Sequence, residues 1–308
     1  MYHGVRRGSG GQLTSGEMVR EGLPTEMRQQ SAALTSAGAP ATALVTGASR
    51  GIGRAIAIEL ARRGHHVLAT MRDVRAGADL LAIEGLSGRL DVCELDVTHA
   101  RDFDYPHDLG ILVNNAGVRY KYLPVEETTT EEWLSVFETN VFGLVDVTRH
   151  VIPILRARGR GVLCTVTSAS ILTPLPFFGI YRASKWAASA LCETLRTELS
   201  PFGIRVLEIL PGSIDTALLK SGVMFNIPEA ADYAPYRPMA TAHYPASKFM
   251  DSAQIWPPER AAVQIVDAIY DDSGPMRRGC DPFSDETLLS WRQRADEEIM
   301  TETVHRFS

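Results

Sequence analysis

Thr42-Ala43-Leu44-Val45-Thr46-Gly47-Ala48-Ser49-Arg50-Gly51-Ile52-Gly53 is a short apolar run that breaks into a glycine-rich turn and continues as a helical pattern. A strand, a turn and a helix in that order is the context in which glycines form a credible pyrophosphate cradle. Gly47 permits the tight turn, Gly51 lets backbone come close to phosphate, and Gly53 lets the helix pack on its strand. The helix N-terminus adds N–H donors and the positive end of its dipole. Ser49, Arg50 and Ile52 complete the cradle. The plain alternative is an ordinary glycine turn, and the surrounding sequence decides between the two.

Outward from this stretch, short runs rich in Val, Ile and Leu alternate with longer helical patterns, the mark of βαβ units on a buried parallel sheet. The spacing predicts strands at Thr42–Thr46, His66–Thr70, Leu90–Leu95, Ile111–Val113, Gly161–Thr167 and Ile204–Leu210, with a weaker one near Met276–Cys280. Helices are predicted at Gly51–Arg63, Thr130–Arg156, Gly179–Leu199 and Pro258–Tyr270, with Pro153 expected to end or kink the second. Residues 96–110, interrupted by Pro106 and Gly110, leave room for a reduced turn rather than a long helix. The fold class is therefore α/β, a single Rossmann-type doubly wound parallel sheet with helices on both faces.

The 308 residues, 45% of them apolar and 22% charged, are enough for one large domain with tails. Residues 1–40 read as a disordered N-terminal extension, residues 41–283 as the nucleotide-binding catalytic domain, and residues 284–308 as a helical tail. Met18 and Met27 within the extension lead us to expect a later translation start. The tail carries Leu288, Trp291, Ala295 and Ile299 at near-helical spacing. Residues 217–256 hold Pro228, Pro235, Pro238 and Pro245 and read as a substrate lid. Met224, Phe225, Tyr233, Tyr236, Met239, Tyr244, Phe249, Met250 and Trp256 give it an apolar, aromatic character suited to a lipophilic small molecule. A net charge of −6 provides no basic footprint for nucleic acid, and no apolar run is long enough to span a membrane. Cys93, Cys164, Cys192 and Cys280 are widely spaced, which argues against a zinc site or disulfide framework and for buried thiols in a cytoplasmic protein.

Tyr181 and Lys185 in Tyr181-Arg182-Ala183-Ser184-Lys185 share one helix face, downstream of Ser168 at a predicted strand end. Carbonyl reduction needs a proton donor at oxygen while hydride reaches carbon. An ordinary phenol is too weak an acid at neutral pH. Lowering it by about three units takes roughly 4 kcal/mol, which an ammonium and an oxidised nicotinamide together would supply. Ser168 would hold the substrate oxygen against Tyr181. Tyr244 and Lys248 repeat the spacing in a proline-rich stretch with Ala231 in the serine's place, and rank as a lid feature. After the second predicted strand, Thr70 occupies the position where an NAD-preferring fold places an acid. Arg72 and Arg50 offer guanidinium forks to a ribose phosphate, favouring NADP(H). NAD(H) competes if Asp73 faces the ribose instead.

In these motifs the chain resembles the short-chain dehydrogenase/reductase family over residues 42 to about 280. The resemblance rests on Thr46–Gly53, Leu95-Asp96-Val97, Asn114-Asn115-Ala116-Gly117, Asn140, Ser168, Tyr181 with Lys185, and Pro211-Gly212 followed by Thr216. It implies that Asn140, Ser168, Tyr181 and Lys185 form a catalytic tetrad, with Tyr181 as acid/base and Lys185 on the ribose. Asn140 would support a proton-relaying water. The resemblance further implies adenine contacts from Asp96 and Val97, and a strand-end contact under the cofactor from Asn114, with Ala116 and Gly117 beside it. Ile214 and Thr216, after Pro211 and Gly212, would reach the nicotinamide carboxamide. It also implies a homodimer or homotetramer built on the helices around 130–156 and 180–199. The Ala69–Asp73 and Leu191–Leu195 runs lean toward the hydroxysteroid and retinol dehydrogenase branch. The rival readings are a non-catalytic NADP-sensing or scaffold protein and an epimerase or dehydratase that uses the same Tyr–Lys spacing. The second would carry a differently spaced glycine turn and a large C-terminal sugar domain.

Overall fold

The alternating strands and helices close into one parallel sheet whose central strands are buried on both faces. The computed structural model describes residues 41–217, 229–243 and 255–307. Its strands are β1 (Thr42–Val45), β2 (His66–Met71), β3 (Arg89–Glu94), β4 (Leu109–Asn114), β5 (Gly161–Val166), β6 (Ile204–Ile209) and β7 (Arg277–Arg278). They lie in the order β3-β2-β1-β4-β5-β6-β7, and every pairing is parallel. The helices are α1 (Gly51–Arg62), α2 (Thr130–Phe137), α3 (Leu144–Arg158), α4 (Gly179–Leu199), α5 (Arg237–His243), α6 (Pro258–Tyr270), α7 (Pro282–Gln293) and α8 (Asp296–Phe307).

Successive strand residues point to opposite faces and so divide the core in two. Ala43, Val45, Ile111, Val113, Cys164, Leu207 and Ile209 pack with the apolar faces of α1 and α6. Leu44, Leu112, Leu163 and Val206 pack against Val147, Val151 and Leu155 of α3 and Cys192, Leu195 and Leu199 of α4. The strand order reverses between β1 and β4. The crevice outside the carboxyl ends of those strands is where such sheets bind ligands.

The reduced turn expected between β3 and β4 is a short 3-10 segment, Val97–Asp102, and the β2–β3 connection is another, Val74–Ala82. Strand β2 extends one residue beyond the expected Thr70, so Arg72 is the first residue after it. The single helix expected from Thr130 to Arg156 is instead α2, a π-helical turn at Glu138–Gly143, and α3. Pro153 does not end α3, which continues to Arg158 and stops where Gly159 adopts a left-handed φ of 66°. Within residues 217–256, a 3-10 turn at Glu229–Asp232 and α5 are regular.

The tail is two helices, and both lie on the body. Leu288 of α7 is buried with Ile171, Leu172 and Leu210, with Trp291 against them. Phe307 at the end of α8 is buried with Tyr122, Phe177, Ala230 and Ala240. The expectations for residues 1–40, and for Met224, Phe225, Pro228, Tyr244, Pro245, Lys248, Phe249 and Met250, lie outside the described residues. Among the described residues no helix is long and apolar enough to cross a membrane.

Candidate active site

At the carboxyl end of β1, Gly47 and Gly51 have φ of 65° and 59°, the left-handed region that favours glycine. A Cβ on Gly47 would stand 2.8 Å from Ala116 Cα, and one on Gly53 would overlap Asn115 Nδ2 and lie 2.6 Å from Gly47 O. The turn is therefore tied to the end of β4. Asn115 Nδ2 donates to Thr46 O at 2.9 Å and Gly47 O at 3.1 Å, while Thr46 Oγ1 accepts from the backbone N–H groups of Asn115 and Ala116, both at 3.0 Å. Helix α1 opens at Arg50 with no side-chain cap and no acid in its first turn. Its first N–H groups thus lack a side-chain acceptor, and an anion such as a pyrophosphate fits that end. Ser49 is half-buried and Arg50 exposed in this turn, and Ile52 packs partly against the core.

Beyond β2, Thr70 is buried and its hydroxyl donates to Val45 O at 3.1 Å. Arg72 is exposed, and its charge acts on Asp96 at the end of the neighbouring β3. Burial pushes the Asp96 carboxyl up, but hydrogen bonds from the Thr98 amide and hydroxyl, with the Arg72 and His99 charges, hold it below its usual range. Asp73 is engaged locally. It accepts from Arg75 Nε and Nη2, both at 2.9 Å, and from the Arg75 amide at 3.0 Å, which hold its carboxyl low. Val97 is buried in the core, where it backs the π-turn: a Cβ on Gly143 would stand 2.7 Å from Val97 Cγ2.

The π-turn at Glu138–Gly143 carries Asn140, which is 2% exposed. Single-turn π segments inside helices recur at functional sites. Asn140 Oδ1 accepts from the Val118 amide at 2.8 Å, and its Nδ2 donates to Val118 O at 2.8 Å and Ser184 Oγ at 3.0 Å. The Ser184 hydroxyl donates in turn to Tyr181 O at 2.7 Å. Gly117 keeps the space between the two polar ends open, since a Cβ there would lie 3.3 Å from Lys185 Nζ and 3.4 Å from Asn140 Oδ1. Lys185 is 6% exposed on α4, with Nζ donating to Val166 O at 3.0 Å and 5.9 Å from the Tyr181 ring centroid.

Ser168 lies two residues beyond β5, and its side chain acts on the Tyr181 phenol. Burial pushes the phenol up to about 12, against the lowering from Ser168. Burial also pulls the Lys185 amine down to about 8, opposed by the Glu208 carboxylate. The side chains alone therefore leave Tyr181 a weaker acid than free tyrosine. Desolvation of the phenolate outweighs a single serine donor, and Lys185 is committed to a strand carbonyl.

After β6, Pro211 O accepts from the Ala169 amide at 2.9 Å, and the Gly212 amide donates to buried Asp281 at 2.8 Å. Ile214 is buried and bridged to Trp256, while Thr216 Cγ2 would stand 3.2 Å from a Cβ on Gly51. Thr216 thus reaches over the glycine turn. Asn114 ends β4. It is buried and donates to Thr148 Oγ1 of α3 at 2.9 Å, so Asn115 is the residue that reaches the turn.

Sequence reasoning passed over Asn115 as a structural tie, Asp281 beneath Gly212, and an aromatic wall beside Tyr181. Asp281 caps α7 in a reciprocal box with Ser284, a spacing readable in the sequence. The wall is Tyr122, Phe177 and Phe178, with the Tyr122 and Phe178 centroids 4.3 Å apart. Phe177, at φ 67°, is the one non-glycine residue with positive φ among the described residues and meets Tyr236 edge to face at 6.0 Å. Such a conformation in a bulky residue persists only where its surroundings enforce it, and here the ring is buried among Tyr122, Ala230, Ala240 and Phe307. Of the lid's aromatic and apolar residues, Tyr236 and Met239 pack on this cluster.

Comparison with known proteins gives the same architecture. A 2 Å crystal structure of a short-chain dehydrogenase from Streptomyces avermitilis superposes with a TM-score of 0.68 at 30% identity, covering 88% of this chain and 98% of that one. A short chain dehydrogenase from Burkholderia cenocepacia, solved in complex with NADP, matches with a TM-score of 0.65 at 25% identity over 85% of this chain and 95% of that one. Bovine retinol dehydrogenase 8 is 31% identical over 258 residues, 79% of this chain and 82% of that protein. The sequence profile described as short chain dehydrogenase matches residues 41–224. With the glycine turn, Ser168, Tyr181 and buried Lys185 assembled at the carboxyl ends of the central strands, the chain belongs to the short-chain dehydrogenase family of oxidoreductases.

Proposed function

We propose that this oxidoreductase uses NADP(H) to interconvert a lipophilic ketone and its secondary alcohol. The observation that carries the reading is Tyr181 lining one pocket with the aromatic wall of Tyr122, Phe177 and Phe178, its phenol lowered against burial by the Ser168 side chain. A carbonyl oxygen placed on that pair would leave its apolar substituents against aromatic rings. The bound nicotinamide would supply or accept the hydride. Tyr181 gives up or takes the proton at its hydroxyl, Ser168 donates to the same substrate oxygen, and Lys185 stays cationic at neutral pH behind the phenol. Asn140 keeps the loop after β4, at Val118, and Ser184 in register with Tyr181. The retinol dehydrogenase relative supports the lipophilic assignment.

Arg50 and Arg72, both exposed near the cradle, support the preference for a 2′-phosphate, and the NADP complex of the Burkholderia relative supports it further. Asp73, which would favour NAD(H) at the ribose, is engaged by Arg75. We assign the same part to Asp96, Val97, Ala116, Pro211, Ile214 and Thr216 as the family resemblance implies, lining the nucleotide from both sides of the switch point. Val97 would act through its backbone because its side chain is in the core. Four free cysteines support a reducing, cytoplasmic setting. Leu134 and Phe142, exposed on α2 and the π-turn, support assembly into a homodimer or homotetramer. The test is a ketone panel spanning steroids, retinoids and short aliphatic or sugar ketones, each with NADPH and NADH in parallel. The expected result is turnover of bulky apolar ketones with a lower KM for NADPH. Activity confined to small polar sugars, or an NADH preference, contradicts it.

A further inference from the structure

We propose that Ser170 and Arg182 are positioning residues that make Ser168 a committed hydrogen-bond donor toward the reacting oxygen. A serine hydroxyl has one proton and two acceptor sites. At Ser168 Oγ, one site takes the Ser170 amide at 3.2 Å and the other the Ser170 hydroxyl at 2.9 Å. Only the proton of Ser168 is then left to point outward, which accords with the serine side chain lowering the Tyr181 phenol against burial. Without the Ser170 hydroxyl, one acceptor site of Ser168 is released. The serine can then accept from the neutral phenol, which stabilises the wrong protonation state of Tyr181.

Arg182, next to Tyr181 on α4, fixes the turn that makes this possible. Its Nε donates to Ser170 O at 3.1 Å and its Nη2 to Ile171 O at 2.9 Å. The planar guanidinium spans two successive carbonyls, a task that a lysine ammonium cannot reproduce as a rigid fork. The other side of the turn is held by the Ala169 amide on Pro211 O at 2.9 Å. The serine turn is thus pinned between the loop after β6 and the helix that carries the phenol.

The inference rests on the reading of Tyr181 as the acid/base, and its test separates the two. The phenolate absorbance of the NADP+ complex is titrated for wild type, with Tyr181→Phe subtracted to isolate one tyrosine, and for Ser170→Ala, Ser170→Thr and Arg182→Lys. A wild-type Tyr181 step below the range of free tyrosine is expected. Ser170→Ala should move that step about one pH unit alkaline, a tenfold weaker acid, which is what one lost hydrogen bond supplies. Ser170→Thr, which keeps the hydroxyl, should restore it. Arg182→Lys should shift the step in the same direction, and carries the test alone if Ser170→Ala fails to fold. A low wild-type step that neither Ser170→Ala nor Arg182→Lys moves overturns the latch alone, as does a threonine variant displaced as far as the alanine. A wild-type Tyr181 that titrates no lower than free tyrosine overturns the acid/base reading and the latch with it.

Discussion

Lys185 is the residue whose placement is hardest to explain by folding alone. It is almost wholly buried, has one strand carbonyl for its ammonium, and is pulled by burial from 10.5 to about 8. A group whose folded pKa lies below its unfolded value binds fewer protons when folded, so stability rises with pH between the two values. The cofactor-free protein should therefore gain up to about 3 kcal/mol between about pH 8 and 10.5 relative to a Lys185→Met variant. Denaturant unfolding of both proteins across that range measures it, and parallel pH profiles would show that the amine costs nothing to bury. Below pH 8 the ammonium is the dominant form and is destabilising to the fold. That cost is consistent with a residue kept for its charge beside Tyr181. The spacing of Tyr181 and Lys185 was legible in the sequence because helical periodicity alone sets it. The state of the phenol was not, because it depends on burial by the folded chain and on charge interactions with residues far from it in sequence, Tyr122 and Arg119.

At the scale of elements, the glycine turn and the end of β4 act as one piece. Gly53→Ala would drive a methyl group into Asn115 Nδ2 and Gly47 O, both of which are fixed by hydrogen bonds to each other. The expected cost is about 1–3 kcal/mol from overpacking, with loss of tight NADP(H) binding because the turn must open. Isothermal titration of the nucleotide and a thermal melt on the same variant check both halves. Unaltered nucleotide affinity would mean that the turn is not the cradle. Strands β1, β5 and β6 and helices α1, α4 and α6 were readable to within a residue or two, since each pairs a strong period with a glycine or proline boundary. The π-turn was hidden. Thr129 and Glu132 form a capping box that announces α2, and the apolar pattern then runs on unbroken through Glu138–Gly143. Only the tertiary pairing of Asn140 with Val118 and Ser184 distinguishes that turn from ordinary helix. Pro153 does not end α3 for a related reason: the neighbouring packing of Val151 and Leu155 outweighs one missing backbone hydrogen bond.

At the scale of the whole molecule, the site is held by elements from both ends of the described chain. Glu208 of β6, fully buried, accepts from Thr167 at 2.8 Å and pairs with Arg277 of β7 at 2.8 Å. Arg277 also donates to Ser189 and Glu193 of α4, so the last strand braces the helix that carries Tyr181. Phe307 closes the outer side of the aromatic cluster whose inner side meets the pocket at Tyr181. None of this long-range bracing has a local sequence signal, whereas the sheet and the chemistry-bearing residues do. The central claim is that the Tyr181 phenol moves the proton while the rest of the site only holds reactants in place. Its most direct test compares wild type with Tyr181→Phe, measuring NADPH binding by fluorescence and ketone-dependent NADPH oxidation by absorbance. The account predicts unchanged nucleotide affinity and a fall in kcat of about 10²–10⁴-fold. A phenylalanine variant that oxidises NADPH within a few-fold of wild type would contradict it.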